Sequence, residues 1–203
     1  YGKYELTKSN CVVVVAPDSI VEPEDTSTFV DSRDGKVYHW VKIGEQTWMQ
    51  ENLAYDGIPG CWAYHNDIDN VTIYGYLYTW NAAMNAAPEG WHIPTKEEWE
   101  ELAAYLGEEA GSKLAGNSAL WENSALTEST NFGMSNFNGL PSGYRKDNGD
   151  YVNQAYETLW WSATEKNLYG SYFLSLFYTN TYLGIGYMDK TYAYSVRCIK
   201  DIE

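Results

Sequence analysis

Cysteine is scarce in this chain: 203 residues hold three, Cys11, Cys61 and Cys198. They permit at most one disulfide, with one thiol left over and the pairing open. No CxxC or His-x-x-His spacing occurs, and His39, His65 and His92 are scattered. Each histidine therefore reads as a structural hydrogen-bonding residue rather than a metal ligand. Basic residues are also few, 13 Lys and Arg against 28 Asp and Glu, for a formal charge of −15. Such a surface repels phosphate backbones, which argues against a nucleic-acid partner. The excess acid reads as a solubility feature of an outward-facing protein. No apolar run approaches the roughly 20 residues of a transmembrane helix. Neither a Gly-x-Ser-x-Gly motif nor a phosphate-cradling glycine loop is present. The chain opens at Tyr1 without an initiator Met or a signal peptide, the start expected of a processed or trimmed chain.

What is abundant is aromatic. Nineteen Tyr and nine Trp exceed what a core of this size needs. Both side chains offer large rigid area with a polar edge and are enriched where proteins meet ligands. An aromatic-rich β core accounts for part of them.

Residues 1–28 differ from the rest. Val12–Val15 reads as a strand, followed by the acidic, proline-containing segment Val21 to Thr28. An exposed strand of this kind invites aggregation. It is therefore expected to dock on the main domain, on a neighbouring domain or on another copy. From Phe29 the pattern becomes regular. Asp31–Gly35 is a turn, Val37–Ile43 and Thr47–Leu53 are strands, and Tyr78–Ala86 is a first helix. Beyond Gly111 the chain is loop-rich. Asn148-Gly149 signals a hairpin, and strands are expected at Leu159–Ala163, Ser171–Thr179, Tyr182–Met188 and Tyr192–Ile199.

The segment Gly90 to Trp99 is the most specific. Pro94 biases Ile93 to extended backbone. Thr95 and Glu98 form a capping box, and Glu97 and Glu98 suit the positive end of a helix. Trp99, Leu102, Ala103 and Leu106 then recur at helical spacing, and Gly107 supplies a stop. The second helix is thus predicted over Lys96–Leu106. Two helices, a loop-rich middle and a terminal antiparallel sheet make an α+β domain.

Ordered blocks run the length of residues 29–203: Phe29–Tyr38, Ile43–Leu53, Tyr74–Trp80, Gly90–Trp99, Gly139–Arg145, Trp160–Glu165 and Ser195–Asp201. Together they resemble the Fibrobacter succinogenes major paralogous domain. The resemblance implies a C-type-lectin-like fold related to the formylglycine-generating-enzyme branch. It also implies a bacterial extracellular or cell-surface location, with the molecular function mostly undefined. The chain departs from the pattern in having Ala87 before Pro88, where relatives commonly carry Cys, and in reducing a Cys-rich segment to Cys61. A disulfide pattern therefore does not transfer. Cys61–Cys198 is the pairing favoured here, since it would tie the loop before the first helix to the last strand, a closure worth roughly 4–5 kcal/mol. Cys11 competes for either partner.

The related enzymes use reactive cysteines in the C-terminal half, where this chain has Cys198 alone, inside an expected strand. Its many carboxylates single out no glycosidase pair. The resulting expectation is a non-catalytic domain without a required cofactor. Asn66, Asp67, Asp69 and Asn70 place hard oxygens in one loop, of the kind Ca²⁺ takes. The same residues suit an Asx-rich turn, which is the preferred reading, and the lectin-type Glu-Pro-Asn and Gln-Pro-Asp signatures are absent.

Relatives diversified by retroelements vary residues between the Trp-Trp-Ser and Ser-Val-Arg-Cys blocks. The Tyr-rich segment of this chain lies there, with both faces of its strands apolar or aromatic. The resemblance thus makes Tyr169, Tyr172, Tyr178, Asn180, Tyr182, Tyr187 and Tyr192 candidate ligand contacts. Trp48, Trp80, Trp91, Trp99, Trp160 and Trp161 read as core or loop anchors, and Arg145 and Arg197 as buried hydrogen-bond donors. The functional expectation is adhesion to a polysaccharide or a surface protein. A subunit of a surface filament or multidomain assembly, joined through Val12–Val15, is the alternative.

Overall fold

The computed structural model describes residues 27–202. Cys11 and the expected Val12–Val15 strand lie outside them. The chain is mixed α/β, with antiparallel sheets and short helices.

Strands β1 (Thr28–Val30), β2 (Val37–Ile43) and β3 (Gln46–Met49) open the domain as a meander. Asp31 closes the first turn by accepting from Arg33 Nε at 2.9 Å and Nη2 at 2.7 Å. The β3 ladder stops four residues short of the expected Leu53. There the backbone turns toward the C-terminal segment, and Leu53 N donates to Val196 O at 2.8 Å.

β4 (Cys61–Trp62), α1 (Asp69–Tyr74), β5 (Leu77–Thr79) and α2 (Trp80–Ala83) follow. The expected helix over Tyr78–Ala86 is thus shorter. Tyr78 and Thr79 are consumed by pairing with Tyr194 and Ala193. Thr79 Oγ1 then caps the helix by accepting from Ala82 N at 3.4 Å. β6 (Trp91–His92) leads to α3 (Lys96–Leu106), whose bounds are those read from the sequence. Its capping box is formed, with Glu98 N on Thr95 Oγ1 at 3.2 Å and Thr95 N on Glu98 Oε2 at 2.8 Å. Trp99 and Leu102 form its buried face, and Gly107 ends it at φ 67°.

The middle holds α4 (Ala110–Leu114) and α5 (Ala125–Glu128). With α1 they are short helices that the two-helix reading lacked; none is long enough to display a periodic apolar stripe. β7 (Tyr144–Arg145) and β8 (Tyr151–Val152) form the hairpin signalled by Asn148-Gly149, with Gly149 at φ 96°.

β9 (Glu157–Glu165), β10 (Gly170–Phe177) and β11 (Gly184–Asp189) make an antiparallel sheet in the order β11-β10-β9. The expected last strand over Tyr192–Ile199 splits into β12 (Ala193–Tyr194) and β13 (Ile199–Lys200), which join different sheets. Between them, Ser195 N donates to Leu159 O at 3.0 Å and Trp161 N to Ser195 O at 3.2 Å. The segment is thereby pinned along the free edge of β9 and stitches the sheets together.

Alternation along β9 divides the core. Trp160 enters a cluster with Trp48, Trp99, Leu102, Phe137, Leu174 and Leu176. Its neighbour Trp161 enters another, with Met49, Tyr78, Trp80, Tyr194 and Val196. The indoles keep their donors satisfied: Trp160 Nε1 reaches Asn52 Oδ1 at 2.8 Å and Trp161 Nε1 reaches Tyr78 O at 2.7 Å. Trp99 stacks on Trp160 at 5.8 Å and lies 4.6 Å from Trp48.

Cys61 and Cys198 are both free thiols, so the favoured disulfide is not formed. Cys61 donates to Ile58 O at 3.4 Å, while Cys198 is sealed in the core. Burial pushes the Cys198 thiol up to about 12, so it carries no thiolate at neutral pH.

Candidate ligand-binding face

The sheet β9–β11 is covered on both sides at β9 and opens progressively toward its edge strand. Along β11, Ile185 and Tyr187 are exposed while the intervening residues are half-buried. Register sets the two faces. Phe173 pairs with Gly186 and Ser175 with Gly184, so one face of β11 carries hydrogens where β10 carries side chains. A Cβ at Gly186 would sit 2.5 Å from Phe173 Cζ, and one at Gly184 2.7 Å from Ser175 Oγ. The two glycines leave room for these side chains, and a groove of about 430 Å³ runs over them. Glu157, Phe173, Phe177, Asn180, Tyr182 and Ile185 line it.

The groove is rich in acceptors. Burial raises the Glu157 carboxyl above the usual carboxylate range, opposed by Asn153 Nδ2 donating to it at 2.5 Å. Asn180 Oδ1 is buried without a hydrogen-bond partner among the described residues. Beneath Phe173, whose ring lies 5.3 Å from that of Tyr194, the Tyr194 hydroxyl is buried and equally unpartnered. Burial, Tyr144, Tyr192 and Glu157 together hold that phenol protonated. The Glu157 carboxyl and the Asn180 amide beside aromatic walls suit a ligand that forms hydrogen bonds and offers a flat apolar face.

The candidates read from the sequence separate into three places. Asn180 and Tyr182 reach the groove. Tyr172 and Tyr187 are cross-strand partners on the opposite face, with Lys166 Nζ 5.6 and 5.7 Å from their rings and Lys96 Nζ 5.6 Å from Tyr172. Tyr169 is exposed in the adjoining β9–β10 turn. Tyr178 and Tyr192 are half-buried. Tyr178 sits edge-on against Tyr156 at 5.2 Å, and Tyr192 packs with Tyr144 and Tyr194. They join the packing rather than the open face. Glu157, Phe173 and Phe177 were not among the candidates. Their signal was the non-tyrosine face of the alternation in β10, together with the Gly-x-Gly of β11.

The Asn66–Asn70 loop has the geometry of a turn. Asn66 Oδ1 accepts from the Tyr151 hydroxyl at 2.8 Å, Asp67 Oδ1 from Asp69 N at 3.1 Å, and Asn70 Nδ2 donates to Tyr64 O at 3.1 Å. Asp69 opens α1. Each side chain except that of Asp69 is thus engaged by a different protein partner. Among the described residues no group of three or more His, Cys, Asp and Glu is placed to hold a metal ion.

Arg197 is fully buried. It donates to Met49 O at 3.1 Å, Gln50 O at 2.6 Å, Phe137 O at 2.5 Å and Asn52 Oδ1 at 2.8 Å. Burial lowers its pKa to about 9, and the guanidinium stays charged at neutral pH. Among the described residues no helix is long and apolar enough to cross a membrane.

The family model of the Fibrobacter succinogenes major domain matches residues 41–200, a span that takes in β3 through β13. No curated protein and no solved structure matches the chain.

Proposed function

We propose that this chain, which belongs to the Fibrobacter succinogenes major domain family, is a non-catalytic recognition module of the bacterial cell surface that holds a glycan in the β9–β11 groove. The observation that carries the reading is the groove itself. Phe173, Phe177 and Tyr182 wall a space that Glu157 and Asn180 also line, which places a carboxyl and an amide beside aromatic rings. Sugar rings supply hydroxyl donors at their rims and C–H faces for aromatic stacking. A C-type-lectin-like fold belongs to the same proposal, supported by α3 packed against the terminal antiparallel sheet.

Retention on immobilised polysaccharides tests it. Tyr182→Ala and Glu157→Gln should each reduce retention while leaving the circular dichroism spectrum unchanged. Undiminished retention in both variants refutes the groove as the site.

A structural role in a surface assembly is the second reading, favoured by a different feature. Val30 and Val37 are cross-strand partners at the edge strand β1, and are 61% and 58% exposed. Sedimentation velocity over a range of concentrations separates the readings, since a stable monomer removes the assembly role.

A further inference from the structure

A second cleft, independent of the groove above, lies where the 116–118 and 132–138 loops meet the end of β3. It encloses about 520 Å³ and is lined by Gln50, Gly116, Asn117, Phe132, Asn136 and Asn138 among others, none of them charged. Its volume falls within the roughly 300–1,000 Å³ usual for ligand clefts. On a chain of net charge −15, an uncharged cleft of this size is a local departure from the surface around it.

Its amides are unspent. Asn117 and Asn136 are exposed, Asn138 is half-buried, and the hydrogen bonds that fix these loops come from backbone amides and from the Gln50, Trp121, Ser135 and Arg197 side chains rather than from the asparagine amides. All three asparagines occupy the left-handed region, at φ 47°, 57° and 57°. After glycine, asparagine is among the residues that take this conformation most readily. Glycine takes the same conformation without strain, so each amide can be removed while the backbone is kept.

The framework is rigid. Gly116 N donates to Gly139 O at 2.9 Å and Gly133 N to Ser112 O at 2.9 Å. Trp121 Nε1 donates to Gly116 O at 3.1 Å, and Gln50 Nε2 to Asn136 O at 2.9 Å. From beneath, Arg197 grips the carbonyl of Phe137. Amides fixed in advance bind at low ordering cost.

We propose that this cleft binds a neutral oligosaccharide. Amide groups both donate and accept, which matches hydroxyls that do the same. The absence of charge disfavours phosphorylated, sulfated or cationic ligands. Phe132 gives the cleft an aromatic wall for a sugar face, while the polar lining does not suit an apolar ligand.

The left-handed asparagines provide a clean test, because Asn117→Gly and Asn136→Gly delete the amides and keep the backbone. The intact chain is titrated with neutral hexasaccharides of glucose, xylose and mannose while ¹⁵N–¹H side-chain amide signals are followed. At least one hexasaccharide should shift the Asn117, Asn136 and Asn138 amides saturably. The double variant should bind it about ten- to hundredfold more weakly with an unchanged melting temperature. Tyr182→Ala, in the other groove, should leave that affinity intact. The proposal is overturned if none of the three sugars moves these amides, if a neutral unstructured peptide displaces the sugar at equal concentration, or if Tyr182→Ala abolishes the binding while the double variant retains it.

Discussion

Replacing Arg197 by Met should be among the most damaging single changes available in this domain. The guanidinium is wholly buried over the Phe137 ring, 4.5 Å from its centroid, and among the described residues no carboxylate is hydrogen-bonded to it. Its charge is dispersed instead over the carbonyls of Met49, Gln50 and Phe137 and the side-chain oxygen of Asn52. Met fills much of the volume and supplies no donor. Each main-chain oxygen left without its donor costs about 1–3 kcal/mol. Asn52 Oδ1 keeps the Trp160 indole and suffers less. Against this, the variant no longer bears the desolvation of a cation. The net loss should be about 3–5 kcal/mol, the range found when a buried charge network is broken.

That is a large share of the roughly 5–15 kcal/mol by which domains are stable. In urea, with a slope of about 2–3 kcal/mol per molar, the unfolding midpoint should fall by roughly 1–2 M at unchanged slope. Arg197→Lys is the informative companion. An ammonium retains the charge but lacks the planar fork, so it should recover less than half of the loss. A midpoint for Arg197→Met within about 0.3 M of the parent would refute the reasoning, since water would then have to serve those oxygens equally well.

The His92 cluster predicts a pH dependence. Its Nε2 meets Glu98 Oε1 at 2.9 Å and its Nδ1 meets Asp201 Oδ1 at 2.6 Å, and hydrogen bonding to Glu98 raises its pKa from 6.5. A raised folded-state pKa gives stability that is complete below 6.5 and disappears as pH climbs through the folded value. The stability difference between the parent and His92→Gln should therefore be larger at pH 6 than at pH 9 in chemical denaturation. A difference that grows with pH contradicts the assignment. Thr95→Ala removes the α3 cap and should cost about 1 kcal/mol, read as a lowered thermal midpoint. Gly75→Ala should cost roughly 2–3 kcal/mol in the same assay, since φ is 72° and the new Cβ would lie 2.6 Å from Leu53 O. Finally, dithiothreitol should leave the melting temperature of a Cys11→Ser variant unchanged, because Cys61 and Cys198 are unbridged.

What was legible in the sequence was whatever a local rule governs. The Thr95–Glu98 capping box specifies α3 because its partners are three residues apart, and Asn148-Gly149 specifies a hairpin because only backbone torsion is involved. The β9 alternation likewise announces opposite faces for Trp160 and Trp161. Errors arose where distant partners decide. Tyr192–Ile199 reads as one strand, yet Ser195 is claimed by Leu159 and Trp161, which forces the break between β12 and β13. The tyrosines of β10 and β11 drew attention by composition. Whether each meets solvent depends on which strand is the edge, and a single sequence does not specify sheet order. Tyr178 and Tyr192 lie just beyond these strands, where rings remote in sequence, Tyr156 and Tyr144, half-bury them.

The placement of aromatics has a consequence for how such a domain can vary. Trp48, Trp99, Trp160, Trp161 and Tyr78 are fully buried and interlocked, so truncating any of them leaves a cavity costing about 3–5 kcal/mol. Tyr169, Tyr182 and Tyr187 are more than half exposed, where substitutions usually change stability by no more than about 0.5 kcal/mol. The two populations meet at the β9–β11 sheet, where Trp160 and Trp161 lie on β9 and Tyr187 on β11, but are separated by roughly an order of magnitude in what folding demands of them. Residues on the open edge can therefore change without loss of the fold while the paired indoles hold α3 against the sheet. A library randomised at Tyr169, Tyr182 and Tyr187 should remain mostly folded, and one randomised at Trp99, Trp160 and Trp161 should not; protease resistance of the displayed variants measures the difference.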